Sequence, residues 1–130
     1  MAARSKARKR ALDVLYETDI RGTEPLQTLA AREVTGYAAD LVAGVAEHAA
    51  EIDGLLARYA EGWTLDRMPA VDRNVLRIGV YELLWADDVP DAVAINEAVL
   101  LAQDLSTDAS PAFVNGLLAR IAELKPSLQT

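Results

Sequence analysis

The 130-residue chain contains no cysteine. That excludes disulfides, thiolate metal sites and cysteine nucleophiles, and it suits a reducing cytoplasm. It has one histidine, His48. A lone histidine on a helix is more often structural or exposed than catalytic, and its neighbours Glu47 and Glu51 offer a metal only carboxylates at helix spacing. No phosphate-binding loop, Gly-x-Gly-x-x-Gly or nucleophile elbow is present, so nothing supports an enzyme. No apolar run is long enough to span a bilayer. The basic start is not followed by an apolar signal core, because Asp13, Glu17 and Asp19 interrupt it. The chain therefore reads as a cytoplasmic protein. Sustained two-residue alternation and internal repeats are both absent, which argues against strands and repeat folds. The five prolines sit between periodic stretches and interrupt few helices.

The periodicity that remains is helical, and apolar residues make up 52% of the chain, enough for a real core. Ala11, Leu12, Leu15, Tyr16 and Ile20 predict a first helix over residues 3–21, stopped by Gly22. Glu24-Pro25 opens a short second helix through Leu29. Leu41, Val45, Ile52, Leu55 and Leu56 predict one helix over residues 37–60, with Thr35 as its N-cap and Gly62 beyond its end. Residues 63–69 read as a turn or a single helical turn. Val71, Val75, Leu76, Ile78, Leu83 and Leu84 mark an amphipathic helix ending near Trp85. Ile95, Ala98, Val99, Ala102 and Leu105 mark another. Ser110-Pro111 begins the last helix, with Ser as cap, and it stops before Pro126. The expected architecture is all-α, a compact bundle of five to seven helices in a single domain over residues 1–130.

Charge is unevenly distributed. The first ten residues hold Arg4, Lys6, Arg8, Lys9 and Arg10, five of the thirteen basic residues, and no acid. The whole chain carries −7, and without these five it has eight basic residues against twenty acidic, a balance of −12. A positive cluster on an acidic protein attracts phosphate at one place only. One reading is a solvated tail that aids solubility. The other follows from helical geometry: the charges surround the first turns on every side, so those turns should project past the bundle and reach a ligand. The acidic pairs Asp87-Asp88 and Asp104/Asp108 read as solvated loop and helix-end residues. Phe113, the only phenylalanine, opens the last helix. It either plugs the bundle end or stacks on a base. Gly116 in a helix interior suggests close helix contact, and Asn115, if buried, needs a partner.

Several stretches in order and spacing resemble the NusB family of bacterial transcription antitermination factors, in the style of its high-GC Gram-positive members. They are the basic start with Ala11-Leu12-Asp13-Val14-Leu15-Tyr16, then Leu41-Val42-Ala43-Gly44-Val45. Asp72-Arg73-Asn74-Val75-Leu76-Arg77-Ile78-Gly79-Val80-Tyr81-Glu82-Leu83-Leu84 follows, with Val89-Pro90, Ile95-Asn96-Glu97-Ala98 and Phe113-Val114-Asn115-Gly116-Leu117-Leu118. The resemblance covers nearly the whole chain. It implies two packed helical subdomains and a non-enzymatic adaptor that needs no cofactor. The adaptor binds boxA RNA together with NusE, a small-subunit ribosomal protein, within the RNA polymerase antitermination complex on ribosomal RNA operons. Carried over by residue, Arg4, Lys6, Arg8, Lys9 and Arg10 match an RNA-contacting start. Phe113 matches an aromatic of the RNA site, and Asp108 and Ser110 match the loop before it. Tyr16, Tyr81 and Glu82 match the NusE-facing side. Two alternatives accompany it: an RNA-binding module of an RNA methyltransferase, and a homodimer that covers its own RNA site. The link around residues 31–36 is shorter than the family pattern.

Overall fold

The computed structural model describes residues 2–128, and within them the chain forms seven α-helices and no strand. They are α1 (Ala2–Arg21), α2 (Pro25–Ala31), α3 (Gly36–Glu47), α4 (Ala49–Tyr59), α5 (Ala70–Trp85), α6 (Asp91–Leu105) and α7 (Ser110–Leu128), with a single 3-10 turn at Leu65–Arg67. The all-α expectation holds. α1 stops where Gly22 takes φ 68°, which lets the Gly22 and Thr23 amides both bond back to the Thr18 carbonyl. The short link after α2 closes as a tight turn. Glu33 (φ 52°) and Gly36 (φ 70°) both adopt the left-handed conformation, and the Val34 amide caps the Leu29 carbonyl.

Two boundaries depart from expectation. The stretch over residues 37–60 is two helices, broken at His48 (φ −105°, ψ 19°). The break lets α3 pack on α1 while α4 packs on α5 and α7. Thr35 holds the N-cap position of α3 as expected, though its side chain makes no cap bond. α7 runs on through Pro126 in its last turn, where the missing amide removes one backbone bond two residues before the helix ends.

α5 is the axis of the fold. Its Val75, Leu76, Ile78, Val80, Leu83 and Leu84 are all buried, and it packs against α1, α3, α4, α6 and α7. α1, α2 and α3 pack on one another as one subdomain, while α6 and α7 join α5 in the second. At one end of α5, Glu82 meets Arg8 of α1, which also meets Glu97 of α6. At the other end, Arg73 meets Asp19 of α1, and Asp72 meets Ser106. α1 and α6 therefore run in the same direction, each antiparallel to α5. Glycine permits two close crossings. A Cβ on Gly44 would lie 2.2 Å from the Tyr81 ring, and one on Gly79 would lie 2.6 Å from Leu118.

Candidate nucleic-acid interface

The basic start does not project as a free stub. Arg8 continues the apolar stripe of Ala11, Leu12 and Leu15, so α1 docks along its length and carries Arg8 inside, where it is 2% exposed. Its Nε donates to both Glu82 oxygens (2.9 and 3.1 Å), and its Nη1 donates to Glu97 (2.8 Å). The Tyr37 hydroxyl donates to Glu82, and the Ser5 hydroxyl to Glu97. Burial opposes the charge on Arg8, but the two carboxylates outweigh it and hold the guanidinium protonated. Arg8 thus offers no face to a ligand. Glu82, expected to face a partner, is 1% exposed and belongs to the same network.

The other four cations differ from Arg8. Arg4 lies 4.2 Å above the Tyr37 ring and pairs with Asp88 at 2.7 Å. That pair is solvent-exposed, so it is weak, and a phosphate can compete for the guanidinium. Lys6, Lys9 and Arg10 are exposed and make no ion pair within the described residues. The end of the protein near α1's start therefore presents three free cations and one loosely held.

Phe113 sits at the opposite end of α5, in the first turns of α7. It is half-buried, packs on the core and tilts against Trp63, with ring centroids 6.1 Å apart and planes at 54°. The loop before it is pinned. Ser110 is not the cap but the first helical residue, and it is buried. Its hydroxyl donates to Asp72 (2.9 Å) and accepts the Thr107 amide (3.2 Å), and the Ser106 hydroxyl donates to the other Asp72 oxygen. Asp108 is exposed on this loop. Gly116 and Asn115 are exposed, and a Cβ on Gly116 would meet open space, so no close helix contact explains that glycine.

Two cavities flank Phe113. A slot of about 200 Å³ lies between it and Trp63, with Pro69, Asp72 and Ser110 among its lining. A shallower cavity of about 560 Å³ is bordered by Arg58, Tyr59, Gly116 and Arg120. Sequence reasoning missed Arg58, Arg120, Trp63 and Asp72. Only Trp63 carried a signal, as a large aromatic in a short turn. The remaining residues gather by tertiary packing alone.

The residues expected to face a protein partner separate. Tyr16 (42% exposed) and Ile20 (59%) lie one turn apart on α1, and Leu100 and Leu105 are exposed on the parallel α6. Tyr81 instead lies over Gly44, 6.2 Å from the Trp85 ring, on which His48 stacks at 3.9 Å. It lines a groove of about 620 Å³ with Asp40, Glu47, Asp87 and Asp88. No group of residues suited to a metal ion occurs among those described.

The chain matches the NusB family model over residues 5–123. It is 63% identical to the transcription antitermination protein NusB of a Nocardioides species, covering 98% of this chain and 99% of that protein. With the Thermobifida fusca protein of the same name it shares 57% identity over 97% of this chain and 93% of that one. Among solved structures it is similar to Thermotoga maritima NusB (TM-score 0.86, 35% identity, 97% and 95% of the two chains covered). It is also similar to a chain from a crystal structure of the antitermination factors NusB and NusE with double-stranded RNA (TM-score 0.81, 30% identity, 95% and 98% covered). Matched in sequence and fold across nearly its whole length, the chain belongs to the NusB family.

Proposed function

We propose that this chain is a transcription antitermination factor that binds boxA RNA together with NusE and promotes processive transcription of ribosomal RNA operons. It acts in the cytoplasm as an adaptor and not as a catalyst. No helix among the described residues is long and apolar enough to cross a membrane, which agrees with that place of action. The observation that carries the reading is the likeness over 95% of the chain to a NusB solved with NusE and RNA. Charge placement supports it: Lys6, Lys9 and Arg10 are free cations on a protein of net charge −7. Phosphates dock on these and on Arg4, while Arg8 holds α1 in place from inside. Phe113, between its two cavities, supplies an aromatic face for a base. NusE takes the exposed apolar side chains of Tyr16 and Ile20, and the acidic surface suits a basic ribosomal protein.

Fluorescence anisotropy of labelled boxA RNA and a scrambled control, with and without NusE and at two salt concentrations, tests this. Preference for boxA that NusE strengthens is the expected result. Equal binding to both RNAs, unmoved by NusE, would reduce the basic end to a generic phosphate contact. Tyr16→Asp should abolish the NusE effect while leaving RNA binding by the chain alone unchanged.

A further inference from the structure

We infer that the slot between Trp63 and Phe113 takes one unstacked RNA base, and that the Asp72 carboxylate at the slot favours a base bearing an exocyclic amino group. This deepens the RNA reading above and rests on it.

Trp63 is 48% exposed, on a chain in which aromatic residues make up only 5%. It contributes little to the core it borders, and it faces the only phenylalanine. The two rings meet at 54°, and both line a cavity of about 200 Å³ with room for one flat ring system against an aromatic face. Pro69 supplies a further apolar wall. On the far side of Phe113, Arg58 and Arg120 border the neighbouring cavity, where they can hold phosphates flanking an inserted base. An apolar protein side chain would fill the slot as well, but it would have no use for these guanidinium groups or for a carboxylate in the lining.

Asp72 gives the slot chemical discrimination. It is 3% exposed and makes no ion pair within the described residues, and its two oxygens accept hydroxyl hydrogens from Ser106 and Ser110. Each carboxylate oxygen has a second lone pair, so the group can accept one more N–H. Cytosine, adenine and guanine present amino donors. Uracil offers only its ring N3–H, flanked on both sides by carbonyl oxygens that a carboxylate repels, so it is the poorer partner.

The test is an abasic scan. The boxA RNA is made with each position abasic in turn, and its Kd is measured for the wild type, Trp63→Ala, Trp63→Phe and Asp72→Asn. One position should lose tenfold or more in the wild type when abasic, lose almost nothing in Trp63→Ala, and keep its sensitivity in Trp63→Phe. At that position a base with an amino group should bind about tenfold better than uridine, and Asp72→Asn should narrow that gap. RNA binding that is salt-dependent but shows no position whose abasic cost depends on Trp63 would overturn the slot and leave the RNA reading standing. Absence of salt-dependent RNA binding would overturn both. Circular dichroism checks each variant, and if Asp72→Asn fails to fold, the Trp63 comparison alone decides for or against the slot.

Discussion

Replacing Arg8 with Ala should cost the fold about 3–5 kcal/mol, because it strands the buried Glu82 carboxylate and removes the partner of part-buried Glu97. Urea denaturation would show the loss. Lys9→Ala and Arg10→Ala, at exposed positions without ion pairs, should stay within about 0.5 kcal/mol of the wild type. The five cations look alike in sequence, and only the position of Arg8 at the head of the Ala11–Leu12–Leu15 stripe distinguishes it. The complementary signal was also present, since Glu82 and Glu97 interrupt the apolar faces of α5 and α6, but pairing them with Arg8 needs the fold. The glycines give a second contrast. Gly44→Ala drives a methyl into the Tyr81 ring and should destabilise by about 1–3 kcal/mol. Gly116→Ala meets open space on an exposed helix face and should stabilise by about 0.4–1 kcal/mol. Thermal denaturation separates the two. Sequence gave Gly116 the close-contact role and gave Gly44 none, because a glycine's neighbours across a helix crossing leave no local trace.

Among the elements, six helical stretches and their order were legible because each apolar stripe repeats at helical spacing. The break at His48 was not. The stripe continues from Val45 to Ile52 without a proline or a cap, and His48 turns the chain while its ring stacks on Trp85. Ionisable contacts between elements set a pH window. Burial, and then the bond to Glu82, push the Tyr37 phenol well above its ordinary value. The neutral form is favoured in the folded state, so its stabilisation is complete below about pH 10 and is lost as pH rises beyond that. Burial pushes the Asp19 carboxyl up, but hydrogen bonds from Arg73 and Asn74 and the charges of Arg73 and Arg77 outweigh it and hold it below the usual range. Its contribution is complete above about pH 4 and is lost as pH falls below. The urea midpoint plotted against pH should therefore form a plateau between those limits, and Tyr37→Phe should flatten the alkaline limb.

For the whole molecule, the useful quantity is the contrast between one cationic end and an acidic remainder. It was readable from composition. How many of those charges stay free was not, because packing removes Arg8 and occupies Arg4. Lys9→Ala with Arg10→Ala should weaken RNA binding alike for every sequence. It should also reduce the slope of log K against log salt by about 0.7 per residue for single-stranded RNA. Titrations at several salt concentrations measure it, and an unchanged slope would remove these residues from the interface. The candidate site divides along the same line: its basic half lies in one local run of residues, whereas Trp63, Asp72, Arg58 and Arg120 meet Phe113 only through the fold.

The Arg8 network also orders events in time. Glu82 and Glu97 follow Arg8 by 74 and 89 residues. At about 5–20 residues per second of synthesis, α1 waits roughly 4–15 seconds before its first carboxylate partner is made. Helices α1, α2 and α3 are neighbours in sequence and can pair through short loops, as can α5, α6 and α7, whereas the Arg8 pairs join the two groups across far longer loops. Until α5 and α6 have been made, Arg8 lacks both of its carboxylate partners. Joining the two groups becomes the later step of folding, in which burying Arg8 turns a uniformly basic segment into one with an inside and an outside.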